Sequence, residues 1–275
     1  VNAQSAFPTP THQVSRSSAR TFLAGSGFEN DSVATFQYLS SSNGWTLNAA
    51  GTGIVKDGFA FAAGRNFGGN YSLFLQRNLG SARRTFNIAA GVYEFSFYGA
   101  QRQVGGNYQR QVLEVLINGE RMFHEELLPG GIRRYFSKPF RHSGGNVEVE
   151  IRGVRANGDH SAVLDYCELN EVMNWNDSSI WSNGAVSTGI NNSVLIPSGA
   201  RVYIDSSRLV GNLRIQGSLS VLESPNLIQL QARNILVEGN YSRLLAGNQG
   251  GDFTGRLTFS FLGGSSNQNL EGFGS

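Results

Sequence analysis

Asn146-Val-Glu-Val-Glu-Ile-Arg152 alternates apolar and polar residues without a break. Successive strand side chains point to opposite faces. Val147, Val149 and Ile151 therefore belong to a core, and Glu148, Glu150 and Arg152 to a wet face. The same period of two runs outward from this stretch. Residues 111–117 lead into Asn118-Gly119, the dipeptide of a two-residue hairpin turn, and 121–124 is the return strand. Residues 71–76, 84–88, 92–98, 135–140 and 163–169 repeat the pattern between Gly- and Asn-rich turns. About eight such strands in roughly 150 residues predict an antiparallel jelly-roll sandwich. No segment keeps apolar residues at i, i+3, i+4 and i+7 for three turns, so helix is a minor component.

Residues 173–263 have another rhythm. Apolar pairs recur at Val202/Ile204, Leu213/Ile215, Leu219/Val221 and Ile235/Val237, then at Leu257, Phe259 and Phe261. Ile215 to Ile235 is 20 residues and Ile235 to Leu257 is 22. That recurrence, broken by Gly199, Gly211, Gly217, Gly239 and Gly247, predicts a short β-solenoid with glycine at its corners. Residues 1–20 and 264–275 carry no strand pattern and are expected as an extended N-terminal tail and a flexible C-terminal tail. The organisation read here is therefore tail 1–20, jelly roll 21–172, solenoid 173–263 and tail 264–275.

Both blocks resemble known families. Gly27-Phe-Glu-Asn30, Ser42-Asn-Gly-Trp45, Gly91-Val-Tyr-Glu-Phe-Ser-Phe97 and Leu164-Asp-Tyr-Cys-Glu-Leu169 resemble the galactose-binding-like jelly rolls, which include many carbohydrate-binding modules. Trp175, Trp181, Val194-Leu-Ile-Pro-Ser-Gly199, Val202-Tyr-Ile-Asp205, Leu213 to Leu219, Ile235-Leu-Val-Glu-Gly239 and Phe253 to Gly263 resemble the eight-glycine domain. That domain occurs in cell-surface hyaluronan-processing and fibrocystin-like proteins and in bacterial surface proteins. Tyr241 departs from its pattern, which more often has an aliphatic residue there. The first resemblance implies a structural calcium, with Glu29 and Asp165 at the matching positions.

Composition narrows the functional classes. Of 275 residues, 15% are charged and 11% aromatic, a profile that excludes a disordered chain. The net charge of +2 is too small to point to nucleic acid, and Arg16 and Arg20 of the tail account for it. Cys167 is the single cysteine, so no internal disulfide or cysteine-rich zinc site can form. No apolar run is long enough to span a membrane as a helix. Abundant Gly, Asn and Ser, two lysines among 22 basic residues, and a start at Val1 fit an exported, processed chain.

The candidate chemistry is glycan recognition. In 92–98, Tyr93, Phe95 and Phe97 share one face and read as core. Glu94, Ser96 and Tyr98 share the other, where with Arg110 and Glu114 they would line an open concave surface. Phe67, Tyr71 and Tyr108 flank glycine-rich turns and could stack on sugar rings. Arg83-Arg84 and Arg133-Arg134 could meet an acidic glycan, but neighbouring acids make a solvated surface the plainer reading. Glu125-Glu126 cannot act as paired glycosidase acids, because adjacent strand residues face opposite ways. Asp159-His160 sits in a turn, and no nucleophile elbow or phosphate loop occurs. A non-catalytic extracellular surface or matrix protein that binds a polysaccharide is the reading of the whole. Two alternatives accompany it. One is a self-assembling fibre or surface-layer subunit, joined through its tails and open solenoid end. The other is the N-terminal part of a polysaccharide-degrading, hyaluronidase-like protein.

Overall fold

The computed structural model describes residues 7–15, 21–23, 27–58, 69–104, 107–108, 110–128, 131–222, 224, 226–246 and 255–262, with backbone alone at 21–23, 103–104 and 107–108. Phe67 and residues 264–275 lie outside the described residues. The chain divides into two compact units, residues 18–172 with 247–253, and residues 1–17 with 173–246 and 254–275. Among the described residues both units are built of strands and short 3-10 turns, which is the expected all-β class.

The strands in chain order are β1 (His12–Gln13), β2 (Thr21–Leu23), β3 (Phe36–Tyr38), β4 (Ser41–Ser42), β5 (Trp45–Leu47), β6 (Thr52–Lys56), β7 (Tyr71–Gln76) and β8 (Ser81–Gln101). There follow β9 (Gln103–Val104), β10 (Asn107–Tyr108), β11 (Val112–Ile117), β12 (Glu120–Glu126), β13 (Arg133–Phe136), β14 (Phe140–Gly153) and β15 (Ser161–Glu171). The remainder are β16 (Met173–Asn174), β17 (Gly189–Ile196), β18 (Arg201–Ile204), β19 (Arg208–Ile215), β20 (Ser218–Val221), β21 (Leu227–Val237), β22 (Arg243–Ala246) and β23 (Arg256–Phe261).

In the unit holding 18–172, pairing is antiparallel throughout, and the 21-residue β8 is its spine. The first half of β8 pairs with β14 and β5. Its second half pairs with β13 and β15. β11 and β12 extend the β14 side, and β7, β6 and β3 extend the β15 side. A strand shared in this way carries the chain from one layer to the other. One core cluster gathers Val147, Val149 and Ile151 of β14 and Leu113, Val115 and Ile117 of β11. It also holds Leu73 and Leu75 of β7 and Tyr93, Phe95 and Phe97 of β8. The alternation of 146–152 and of 92–98 therefore assigns the inner faces correctly. The Asn118-Gly119 turn has φ of 50° and 82° and joins Ile117 directly to Glu120, as a two-residue hairpin of positive φ requires.

A second buried cluster lies on the outer face of the β15 layer: Val55, Phe74, Ala100 and Val163, with Tyr98, Ile132 and Tyr166 packed against it. Phe36 and Tyr38 of β3 meet Phe74 edge-on, with centroids 6.3 and 5.0 Å away. This face is apolar and aromatic where a wet face was expected, and Glu94 and Ser96 are fully buried on it. Burial comes from what lies over a strand, which its own period of two does not encode.

In the other unit every strand pair is parallel. The chain alternates between two sheets, β1-β17-β19-β21-β23 and β16-β18-β20-β22. Val194, Leu213 and Ile235 stack in register in the first, and Val202, Leu219 and Leu244 in the second. Ser193, Asn212 and Asn234 form a side-chain ladder. Asn212 Nδ2 donates to Ser193 Oγ at 3.2 Å, and Asn234 Nδ2 donates to Asn212 Oδ1 at 2.8 Å. Such ladders form where like residues of parallel strands align. Trp175 and Trp181 pack edge-on at 4.9 Å, and Trp181 Nε1 donates to the Trp175 carbonyl.

Two expectations change. Ile215 aligns with Val237, not Ile235, and Leu257 aligns with Ile228. The 11-residue β21 carries two apolar sets, and the equal spacing picked the wrong one of each. Residues 12–13, expected within a strand-free tail, form β1, which lies parallel to β17 of its own chain with His12 opposite Val194. Thr11 Oγ1 donates to the Ser193 carbonyl and accepts from the Ser193 N–H. The signal for β1 resides in its partner, so a local pattern could not show it.

Candidate functional site

Three of the six predicted glycan-contact residues, Tyr71, Arg110 and Glu114, do not share a face with Tyr98. Tyr71 is paired with Lys56 and packs against the inner core. Arg110 (φ 43°) donates to Glu126 on the β11–β12 edge. Glu114 lies on β11, whose neighbours are β12 and β14, so it does not share a face with Tyr98 on the second half of β8. The expected grouping of Tyr98 with Arg110 and Glu114 assumed that 92–98 and 111–117 were adjacent strands. Tyr108 lies on β10, paired with β9, where backbone alone is described.

Tyr98 has different company. A bulge in β15 between Asp165 and Glu168 inserts one residue, since Asp165 is opposite Tyr98 while Glu168 is opposite Ser96. Tyr166 sits in the bulge at φ 47°. A bulky residue at positive φ is a strained outlier, and bulges re-aim side chains. Here the bulge turns Tyr166 to the outer face and leaves Cys167 in the core. Tyr166 meets Tyr98 edge-on, centroids 6.0 Å apart.

Arg134 of β13 ties this group together. It lies opposite Tyr98, with its guanidinium 5.5 Å from the Tyr98 ring centre and 5.2 Å from that of Phe136. Its Nη2 donates to Ser96 Oγ at 3.0 Å and to Glu168 Oε2. Ser96 Oγ also accepts from Asn170 Nδ2 at 3.0 Å. Arg134 Nε is buried with no hydrogen-bond partner among the described residues. The result is a half-buried aromatic and guanidinium surface with the Glu168 carboxylate beside it, while buried Ser96 and Asn170 anchor it from beneath. Stacking planes with polar groups at their rims are what a sugar ring requires of a protein. The doublet Arg133-Arg134 was read as solvated surface. The clue to Arg134 was its place one strand away from Tyr98, which only the register supplies.

Asp165 adjoins this surface. It is buried and its Oδ1 accepts from the Tyr166 N–H at 2.8 Å. Burial, and after the opposing Tyr166 N–H the nearby charges of Asp57 and Glu29, push its pKa up to about 7. The Tyr166 phenol is pushed up by burial and by Asp165, Glu29 and Asp57, so it stays a donor. Glu29 accepts from the N–H groups of Asn70 at 2.9 Å and Tyr71 at 3.2 Å. A Cβ on Gly27 would stand 2.7 Å from Asp165 Oδ1, so the chain passes close to this carboxyl. The two residues implied as calcium ligands thus share one electrostatic neighbourhood, and hard oxygen donors with a penalised charge suit calcium. No group of three or more metal-ligating side chains converges among the described residues.

The remaining titratable pairs behave as alternation requires. Glu126 faces outward, hydrogen-bonded by Arg110 and Arg155. Glu125, opposite core residue Leu113, faces inward, and burial raises its pKa to about 7. Asp159 accepts from Arg102 and Gln76 and is tied into a structural network.

The model of the G8 domain matches residues 180–275. A search of curated proteins returns no match. Similar solved structures include the CBM22-1 xylan-binding domain from Paenibacillus barcinonensis Xyn10C, at 14% identity and TM-score 0.38, covering 55% of this chain and 94% of that one. They also include TmCBM61 in complex with β-1,4-galactotriose, at 15% identity and TM-score 0.38, covering 56% and 99%. A third is the CBM36-1 domain of a multidomain xylanase from the hindgut metagenome of Trinervitermes trinervoides, at 20% identity and TM-score 0.33, covering 46% and 96%. The eight-glycine domain named from sequence motifs thus reappears as a match to 180–275.

Proposed function

We propose that this chain is a non-catalytic, exported surface or matrix protein whose 21–172 block binds a polysaccharide. The observation that carries the reading is the strained Tyr166, turned by a bulge to stand beside Tyr98 and Arg134 on one face. Strain of this kind persists where a site uses it. Calcium held in part by Asp165 and Glu29 would neutralise the charge that burial penalises and fix the bulge from behind. The two parallel sheets of the other block are read as successive coils of a short β-solenoid. A glycan array of neutral and acidic polysaccharides, probed with calcium present, tests the reading. Silence across the array, or binding to neutral polysaccharides that survives loss of both Tyr98 and Tyr166 rings, would remove it.

A second reading is favoured by one observation. β23 pairs with β21 alone among the described strands, and Phe259 and Phe261 on it are exposed. A parallel sheet edge with exposed aromatics can accept a strand from another copy, which suits a fibre or surface-layer subunit. Sedimentation velocity of Phe261→Lys against the parent protein decides this. A parent that stays monomeric at high concentration sinks it.

A further inference from the structure

On the outer face of the other layer, Val112, Glu114 and Leu116 of β11 alternate with the core residues Leu113, Val115 and Ile117. Each row across the strands holds one carboxylate. Glu126 stands opposite Val112, Glu114 in the next row, and Glu150 opposite Leu116. Rows two residues apart along a strand are about 7 Å apart.

Every one of these acids is capped by arginine. Glu126 accepts from Arg110 Nε at 2.8 Å and from Arg155 Nη2 at 2.9 Å. Glu114 accepts from Arg152 Nη2 at 2.7 Å and His124 Nδ1 at 2.9 Å, with Arg121 at 3.5 Å. Glu150 accepts from Arg83 at 3.1 Å. The acid side chains are 9–28% exposed and the arginine side chains 45–72%. The carboxylates lie beneath and orient the arginines, whose side chains stay largely open to water. Exposed Glu148 of β14 is a fourth carboxylate on the same face. Five guanidiniums over four carboxylates leave one net positive charge and a larger surplus of donors.

We infer that this arginine-faced surface is a second binding site, one for the carboxylates of an acidic, uronate-containing polysaccharide. It is separate from the aromatic face of the β15 layer. Donors in regular rows complement a polymer that presents acceptors at regular intervals. A surplus this small suits sparse carboxylates rather than the dense charge of a nucleic acid.

Affinity electrophoresis of the full chain against polygalacturonate, its fully methyl-esterified form and single-stranded DNA tests this. Binding to polygalacturonate and not to the ester is expected, fading above about 0.3 M salt as exposed charges are screened. Arg121→Gln with Arg110→Gln, both well-exposed side chains whose acids keep other partners, is expected to weaken it about tenfold by removing two charge-assisted contacts. Arg152→Gln would also unseat buried Glu114, so the exposed pair is the deciding variant. Tyr166→Ala should leave uronate binding intact. Equal retention by the ester, no retention by polygalacturonate, indifference to the double variant, tighter binding to DNA, or loss in Tyr166→Ala would each overturn the proposal.

Discussion

Tyr166 and Tyr98 stand edge-to-face at 74°, and the contact exists because a one-residue bulge holds Tyr166 at φ 47°. Left-handed backbone costs a residue with a Cβ roughly 1–2 kcal/mol, and a bare ring pair returns about 0.5–1.5 kcal/mol. The two nearly cancel. Tyr166→Gly should therefore leave the denaturation midpoint within about 1 kcal/mol of the parent, since relief of strain offsets the lost ring. Binding of a neutral polysaccharide, read by affinity electrophoresis, should fall by tenfold or more, about 1.4 kcal/mol. A variant that unfolds readily, or one that binds as before, would show that the bulge serves packing alone.

Arg134 gives a sharper chemical test. Its fork bridges Ser96 and Glu168 while its plane lies against Tyr98 and Phe136. Lysine keeps the charge and loses the plane. Arg134→Lys should cost about 1–2 kcal/mol of stability, from a lost charge-assisted bond and lost stacking, and should weaken glycan binding. Urea titration with binding measured in parallel checks both. Parent-like behaviour would mean that a point charge suffices at this position.

Asp165 predicts a pH dependence with a definite sign. Its carboxyl titrates near 3.8 when free and near 7 in the fold, mainly because it is buried. Below the lower value both states hold the proton and the fold keeps its full stability. As pH rises toward 7 the unfolded chain ionises first, so stability falls, and it levels off above 7. Glu125, raised by burial to about 7, acts in the same direction. In a chelator the melting temperature should fall from about pH 5 to pH 8, with each group contributing up to about 1.4 kcal/mol per pH unit. Asp165→Asn should remove the larger part of that slope. Calcium should raise the melting temperature more at pH 8 than at pH 5, where the proton competes. A flat or rising profile without calcium would contradict the burial of Asp165, and indifference to calcium would remove the ion.

The periodic parts of this structure were legible. The strand 71–76 coincides with β7, and the inner residues of 92–98 and 146–152 lie in one core. What escaped depends on partners remote in sequence. The run 163–169 gave no sign that Tyr166 would leave the alternation, because the bulge is a mismatch between β15 and β8. Glu94 and Ser96 looked wet because the covering of the outer face comes from elsewhere in the chain. Glu114 and Tyr98 looked like neighbours because their segments follow each other, whereas β14, thirty residues on, is what lies beside β11. Composition and period locate faces, while register decides which side chains meet.

Of the glycines expected at breaks in the parallel unit, Gly211 lies inside β19 instead, while Gly217 shows what a tight connection demands. It links β19 to β20, and a Cβ there would stand 2.3 Å from the Ala200 carbonyl oxygen and 2.4 Å from that of Pro197. Both are backbone atoms of the preceding connection, held by the Ser218 N–H to Ala200 O bond at 2.8 Å and by the Ala200 N–H to Pro197 O bond at 3.0 Å. Neither can swing aside as a side chain would. Gly217→Ala must shift one connection against the next, an overpacking cost of about 1–3 kcal/mol or more. Gly184, where a Cβ meets nothing within 4 Å but φ is 68°, is the control. Gly184→Ala should cost only the backbone term of about 1–2 kcal/mol. Thermal denaturation of both variants decides whether close approach or backbone conformation governs the glycine corners. A Gly217→Ala protein as stable as the parent would mean that the connections are not packed at this distance.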